Sequence, residues 1–94
     1  MNARELVAWN VRRLRVERHI AQEALAVDAE IDRTYVSRME RGMENPTVGV
    51  LERISKALNV PITEFFAVPK PGAKLPALLP GGRKAATKRN SAKR

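Results

Sequence analysis

Residues 33–41 combine three arginines with two small hydroxyl side chains in an order suited to molecular recognition. At about 100° per residue on a helix, Tyr35, Val36 and Met39 share one arc. The opposite arc holds Arg33, Thr34, Ser37, Arg38 and Arg41. An arginine can fork onto guanine acceptors or a phosphate, and a hydroxyl can donate, accept or touch a thymine methyl. The pattern suits a helix that enters the DNA major groove, and a solvated helix face is the alternative.

Flanking residues mark where this helix begins and ends. Asp32 is a suitable N-cap, because its side chain can accept a hydrogen bond from the first-turn N–H groups. Ile31 and Val36 stand at the two positions of a hydrophobic staple. Gly42 can end the helix in a left-handed conformation. We therefore expect a capped helix over residues 33–41.

Apolar residues at helical spacing indicate that the rest of the domain is also helical. In the first segment Val7, Val11 and Leu14 recur at i, i+4 and i+7, which is typical of a core-facing stripe. The predicted fold is all-α within a domain of residues 1–67, with helices over about 3–18, 22–29, 33–41, 48–58 and 62–67.

Two positions around the second helix are expected to lower stability. Ala21 stands where a capping side chain would be expected, at a cost of roughly 1 kcal/mol. The turn that follows has no glycine, so Glu30 must adopt a strained positive φ if the turn requires one.

Aromatic residues leave two questions open. Trp9 lies off the apolar stripe of its helix, so it either packs against another helix of the chain or forms a dimer or partner contact. Phe65 and Phe66 are adjacent and cannot face the same way on a helix. We expect one of them in the core, and the other is a candidate for a subunit interface.

Charge is distributed unevenly along the 94 residues, whose formal net charge is +8. Residues 1–67 are neutral, and residues 68–94 contain eight basic residues and no acidic one. This C-terminal segment is rich in proline, glycine and then lysine and arginine, which predicts a disordered tail. It is either a solubilising end or an arm that binds DNA non-specifically through Arg83, Lys84, Lys88, Arg89, Lys93 and Arg94.

Composition argues against several other classes of protein. With no cysteine and one histidine, the chain offers no disulfide framework and no thiolate or multi-histidine metal site. It has no apolar run of membrane-spanning length and no signal-peptide core. It also lacks a glycine-rich phosphate loop and paired carboxylates suited to catalysis. We expect a cytoplasmic protein that is not an enzyme and has no metal, cofactor, small-molecule ligand or membrane partner.

Three segments in order, LRVERHIAQEALA, DRTYVSRMERG and NPTVGVLERISKALNVPITEFF, carry a family resemblance. Over about residues 5–67 the chain resembles the Cro/phage-repressor (XRE-type) helix-turn-helix family. The DRTYVSRMERG and NPTV segments are also similar to the controller proteins of restriction-modification systems. The resemblance implies a lambda-repressor-like five-helix bundle that binds double-stranded DNA as a homodimer and regulates transcription.

The resemblance also implies roles for individual residues. Base contacts are expected from Arg33, Thr34, Ser37 and Arg38, and phosphate contacts from Gln22, Arg41 and Asn45. It further implies an internal pair between Arg15 and Glu40, and the helical wheel places Glu40 beside the buried arc. The alternative function is a protein-interaction or antitoxin-like module on the same bundle, with DNA binding secondary.

Overall fold

Four α-helices and a terminal 3-10 helix make up the fold in the computed structural model, which describes residues 1–74. The elements are α1 (Ala3–Glu17), α2 (Gln22–Ala29), α3 (Arg33–Glu40), α4 (Val48–Leu58) and the 3-10 helix (Ile62–Phe66). The prediction of an all-α fold is confirmed, with one correction in the last element. Residues 75–94 lie outside the described part, and with them all six basic residues assigned to the tail's DNA contacts.

The last element is a 3-10 helix of five residues, and a side chain of α1 holds it in place. Glu64 N donates to Pro61 O at 3.0 Å, which is the i to i+3 bond of this helix type. Asn10, which is buried on α1, binds the other end of the segment. Its Nδ2 donates to Phe65 O at 3.0 Å and to Ala67 O at 2.8 Å. These bonds fix the segment on α1.

One aliphatic core with a single phenylalanine fills the space between the helices. Phe65, Leu25, Met39, Ile54 and Leu58 are among its fully buried side chains. Phe66 is 46% exposed, so the prediction that the two phenylalanines diverge is confirmed. Helix α3 packs on both α1 and α2, while α2 also packs on α4. This arrangement holds α3 firmly in the bundle.

One or two positions after the last residue of each α-helix, the chain has a residue in the left-handed region. These residues are His19 (φ 55°), Glu30 (φ 59°), Gly42 (φ 75°) and Asn59 (φ 58°). In every case the next residue donates its N–H to the carbonyl five positions earlier, at 2.9 to 3.1 Å, which is the Schellman motif. Only one of the four positions is a glycine. Glu30 adopts the positive φ that was expected of it if the turn required one, and the positive φ of His19 was not predicted.

Helix N-termini differ in how they are capped. Asn2 and Glu5 form a reciprocal capping box at α1, and Thr47 Oγ1 accepts from Val50 N at 3.1 Å at α4. Asp32 does occupy the N-cap position of α3, but its side chain accepts no backbone hydrogen bond, so that part of the prediction is wrong. Its backbone is extended (ψ 143°), and the exposed carboxylate is left to solvent.

Candidate nucleic-acid interface

Helix α3 has a buried side and an outward side. Val36 and Met39 are in the core, and Glu40 lies next to them with little exposure. Arg33, Thr34 and Arg41 are exposed, and Ser37 and Arg38 are half-buried. The structure therefore brings the predicted recognition residues together on one side of one helix. Because the other side is anchored in the core, the direction of this outward side is set by the fold.

The C-terminal end of α3 is also fixed. Gly42 N donates to Met39 O at 3.0 Å, and Met43 N donates to Arg38 O at 2.9 Å. Since Gly42 adopts φ 75°, the chain turns sharply into the loop that contains Glu44 and Asn45. The loop ends at the capped start of α4. Its residues are thus held next to the last turn of α3.

A buried ion pair joins α1 to the last turn of α3. Arg15 Nε lies 2.7 Å from Glu40 Oε2, and Arg15 Nη2 donates to Glu40 Oε1 at 2.9 Å. Both side chains are 3% exposed. Arg15 Nη1 also donates to Ile20 O at 2.6 Å. Two parallel charge-assisted bonds of this kind define the geometry of the pair closely.

Gln22, the first residue of α2, is connected to this pair. Its Nε2 donates to Glu40 Oε1 at 3.1 Å, and the side chain is half-buried. A glutamine amide has two N–H groups and one carbonyl oxygen. Gln22 can therefore keep its bond to Glu40 and still offer a second donor outward. The Glu40 carboxylate therefore links the start of α2 to the end of α3.

Glu44, which was not among the predicted site residues, contacts Arg38, which is predicted to contact bases. Arg38 Nε lies 2.7 Å from Glu44 Oε2, and Arg38 Nη2 approaches Met43 O at 3.4 Å. The Arg38 side chain is 41% exposed and that of Glu44 is 26% exposed. Burial and, to a smaller extent, the Glu44 carboxylate raise the pKa of Tyr35. The sequence signal that could have indicated this contact is the position of Glu44, an acidic residue in the loop directly after the basic helix α3.

The remaining predicted phosphate contacts lie along the same edge. Arg41 is exposed, and its Nε donates to Ser37 O at 3.3 Å, which orients the guanidinium along the helix. Asn45 is exposed in the loop between Glu44 and Pro46. Over residues 1–74, no group of histidine and acidic side chains is placed to hold a metal ion. None of the helices in that range has the length and apolar character needed to cross a bilayer.

Comparison with known proteins gives a consistent result. Residues 11–65 match the helix-turn-helix family, which is more than half of the chain. The control protein C.BamHI of Bacillus amyloliquefaciens is 42% identical over 60 residues, or 63% of this chain and 74% of that protein.

Solved structures agree with the sequence relatives. The hypothetical transcription factor NHTF from Neisseria superposes with a TM-score of 0.69 at 35% identity, covering 72% of this chain and 78% of that one. The restriction-modification controller protein C.AhdI from Aeromonas hydrophila superposes with a TM-score of 0.66 at 30% identity, covering 67% and 96%. This chain thus belongs to the XRE-type helix-turn-helix family and is a DNA-binding transcriptional regulator.

Proposed function

We propose that this regulator binds DNA sequence-specifically, with α3 in the major groove and Arg33, Thr34, Ser37 and Arg38 on base edges. The main support is the outward side of α3, on which these side chains lie while the helix itself is anchored in the core. A good bidentate contact to a base discriminates by about 1–3 kcal/mol. Two arginines and two hydroxyls on one helix can therefore distinguish an operator from random DNA.

Phosphate contacts at the start of α2 and after the end of α3 set the register of α3 on the duplex. We assign them to Gln22 at the start of α2 and to Arg41 and Asn45 after the last turn of α3. Backbone N–H groups at the start of a helix also bind phosphates, and α4 begins directly after this loop. Such contacts fix position and orientation and carry no direct sequence information.

The protein is proposed to act as a homodimer that reads two half-sites about one helical turn apart. Phe66, the last residue of the 3-10 helix, and Val68 just after it support this assignment, because they are 46% and 80% exposed. Sedimentation equilibrium of the wild type and of Phe66→Ser tests it. A dimer that Phe66→Ser converts to a monomer is expected, and a monomeric wild type would contradict the proposal.

The C-terminal segment is assigned a different role, which is non-specific attraction to DNA. The six basic residues assigned to this role are among the eight of residues 68–94, which include no acidic residue. Charge–phosphate contacts make affinity depend on salt, with a slope of about 0.9 per phosphate contacted. We place the protein in the cytoplasm, where it meets DNA, and assign it no enzymatic activity.

Selection of bound duplexes from a random DNA pool, followed by affinity measurements with variants of the full chain, tests the assignment. Arg38→Ala should reduce the preference for the selected operator over random DNA. Changing the six tail residues to glutamine should weaken binding to both duplexes alike and reduce the salt slope. If instead the wild type shows no preference and all DNA binding depends on the tail, the bundle is a protein-interaction module.

A further inference from the structure

We propose that Glu44 is a positioning residue that sets the selectivity of DNA binding, because it holds the Arg38 guanidinium ready for a base and opposes phosphates nearby. This inference rests on the proposed base-reading role of Arg38. It starts from the 2.7 Å contact between Arg38 Nε and Glu44 Oε2.

The contact leaves the recognition edge of Arg38 available. Glu44 occupies Nε, and Met43 O lies 3.4 Å from Nη2. Among residues 1–74, Nη1 has no hydrogen-bond partner. A guanidinium carries five N–H donors in a planar fork. The end of the fork formed by Nη1 and Nη2 can therefore still bind the two acceptors of a guanine while Nε remains on the carboxylate.

The position of Glu44 suits it to orient Arg38. Glu44 lies in a loop whose start is fixed by the left-handed Gly42 and by the bond from Met43 N to Arg38 O at 2.9 Å. Its side chain is 26% exposed and its Oε2 lies 2.7 Å from Nε of Arg38 in the last turn of α3, so the carboxylate does not extend freely into solvent. An arginine fixed before binding loses less conformational freedom when it contacts DNA.

The negative charge of Glu44 has a second effect. Arg41 and Asn45, which we assign to phosphates, flank it closely in sequence. A carboxylate at this edge repels the backbone of every duplex alike. Exposed ion pairs add little to stability, so the Arg38–Glu44 pair is not explained as a stabilising device. The orientation of Arg38 and the repulsion of phosphates together lower the affinity for all DNA and raise the ratio of operator affinity to random-DNA affinity.

Three variants of the 94-residue chain distinguish the effect of orienting Arg38 from the effect of the Glu44 charge. Glu44→Ala removes both the charge and the hydrogen-bond acceptor, whereas Glu44→Gln removes the charge and keeps an acceptor of the same length. The control is Glu52→Gln, which removes one acidic charge from an exposed residue on α4 that is paired only weakly, at 3.9 Å, with Lys56. Affinities for the selected operator and for a random duplex of equal length are measured at one salt concentration.

We expect both Glu44 variants to bind the random duplex several-fold more tightly than the wild type. The ratio of operator to random affinity should fall by about tenfold in Glu44→Ala, within the range of one bidentate base contact. Glu44→Gln should recover part of that ratio, and Glu52→Gln should leave it unchanged. A fresh selection with Glu44→Ala should relax the same operator position that Arg38→Ala relaxes.

An unchanged or increased ratio in Glu44→Ala, with Arg38→Ala still lowering it, would overturn the role of Glu44 and leave the proposed function standing. A ratio that Arg38→Ala also leaves unchanged would overturn both assignments. Thermal unfolding of each variant, compared with the wild type, checks that the bundle is intact. Relaxation at an operator position other than that of Arg38 would also contradict the positioning role, because Glu44 would then act elsewhere.

Discussion

Replacing Glu40 by alanine should destabilise the bundle severely, although Glu40 is itself buried and is not one of the proposed DNA contacts. The substitution removes the acceptor of two bonds from Arg15, at 2.7 and 2.9 Å, and of one from Gln22, at 3.1 Å. The guanidinium that remains is 3% exposed and keeps only its bond to Ile20 O. An isolated buried charge of this kind costs about 3–5 kcal/mol.

That loss is large compared with the whole stability of such a domain. At about 0.05–0.15 kcal/mol per residue, a bundle of residues 1–67 has a free energy of unfolding of about 3–10 kcal/mol. In a domain of this size each kcal/mol shifts Tm by about 4–8 °C. Glu40→Ala should therefore lower Tm by more than about 10 °C, and it can leave the chain unfolded at room temperature. Circular dichroism during thermal and urea unfolding measures the change.

The double variant Arg15→Met, Glu40→Leu tests whether the instability comes from the unpaired Arg15 charge or from the loss of the contact itself. Removing both charges together and filling the space with apolar side chains is often neutral or stabilising for buried pairs. We expect the double variant to recover most of the stability that Glu40→Ala loses. A loss below about 1 kcal/mol in Glu40→Ala, which is the size of an exposed pair, would refute the reasoning. A double variant as unstable as the single one would refute it as well.

Four further predictions concern strained, buried and coupled residues. Glu30→Gly should raise the free energy of unfolding by about 1 kcal/mol in urea titration, because glycine adopts φ 59° without the strain of a side chain. Gly42→Ala should lower it by a similar amount, because Gly42 has φ 75°, and an unchanged midpoint would contradict the strain argument. Glu44→Gln should lower the pKa of Tyr35, the single tyrosine, but leave it above 10.0, because burial is the larger cause of the raised value. Tyrosinate absorbance measures that titration, and an unmoved titration curve would show that the carboxylate does not act on the phenol. Asn10→Ala should cost about 1–3 kcal/mol and speed hydrogen exchange in the 3-10 helix, because buried carbonyls lose their donor.

Local patterns in the sequence were sufficient to predict the helices and the outward side of α3. The periodicity of Val7, Val11 and Leu14 reports burial directly, because a helix returns to the same face every 3.6 residues. Glu30 could be named as the residue with a positive φ, if the turn between α2 and α3 required one, because no glycine was present. Both inferences depend on neighbours in the chain.

Features that depend on distant residues could not be predicted in this way. The 3-10 geometry of the last element depends on Asn10, which lies 55 residues before the Phe65 carbonyl that it binds. The contact between Arg38 and Glu44 spans six residues across a left-handed turn, outside the spacing of a helical pair. Asp32 was expected to cap α3 because its type is favoured at that position, but its side chain is exposed and accepts no backbone hydrogen bond.

The bond between Gln22 and Glu40 has a practical consequence for genetics. A screen that scores only loss of gene control would recover changes at Glu40 and Arg15 together with changes at true DNA-facing positions. Glu40 supports the fold and also orients the amide at the start of α2, so one substitution there produces two defects with the same phenotype. An assay of the level of folded protein, run alongside the reporter, would distinguish residues that support the DNA-binding surface from residues that lie on it.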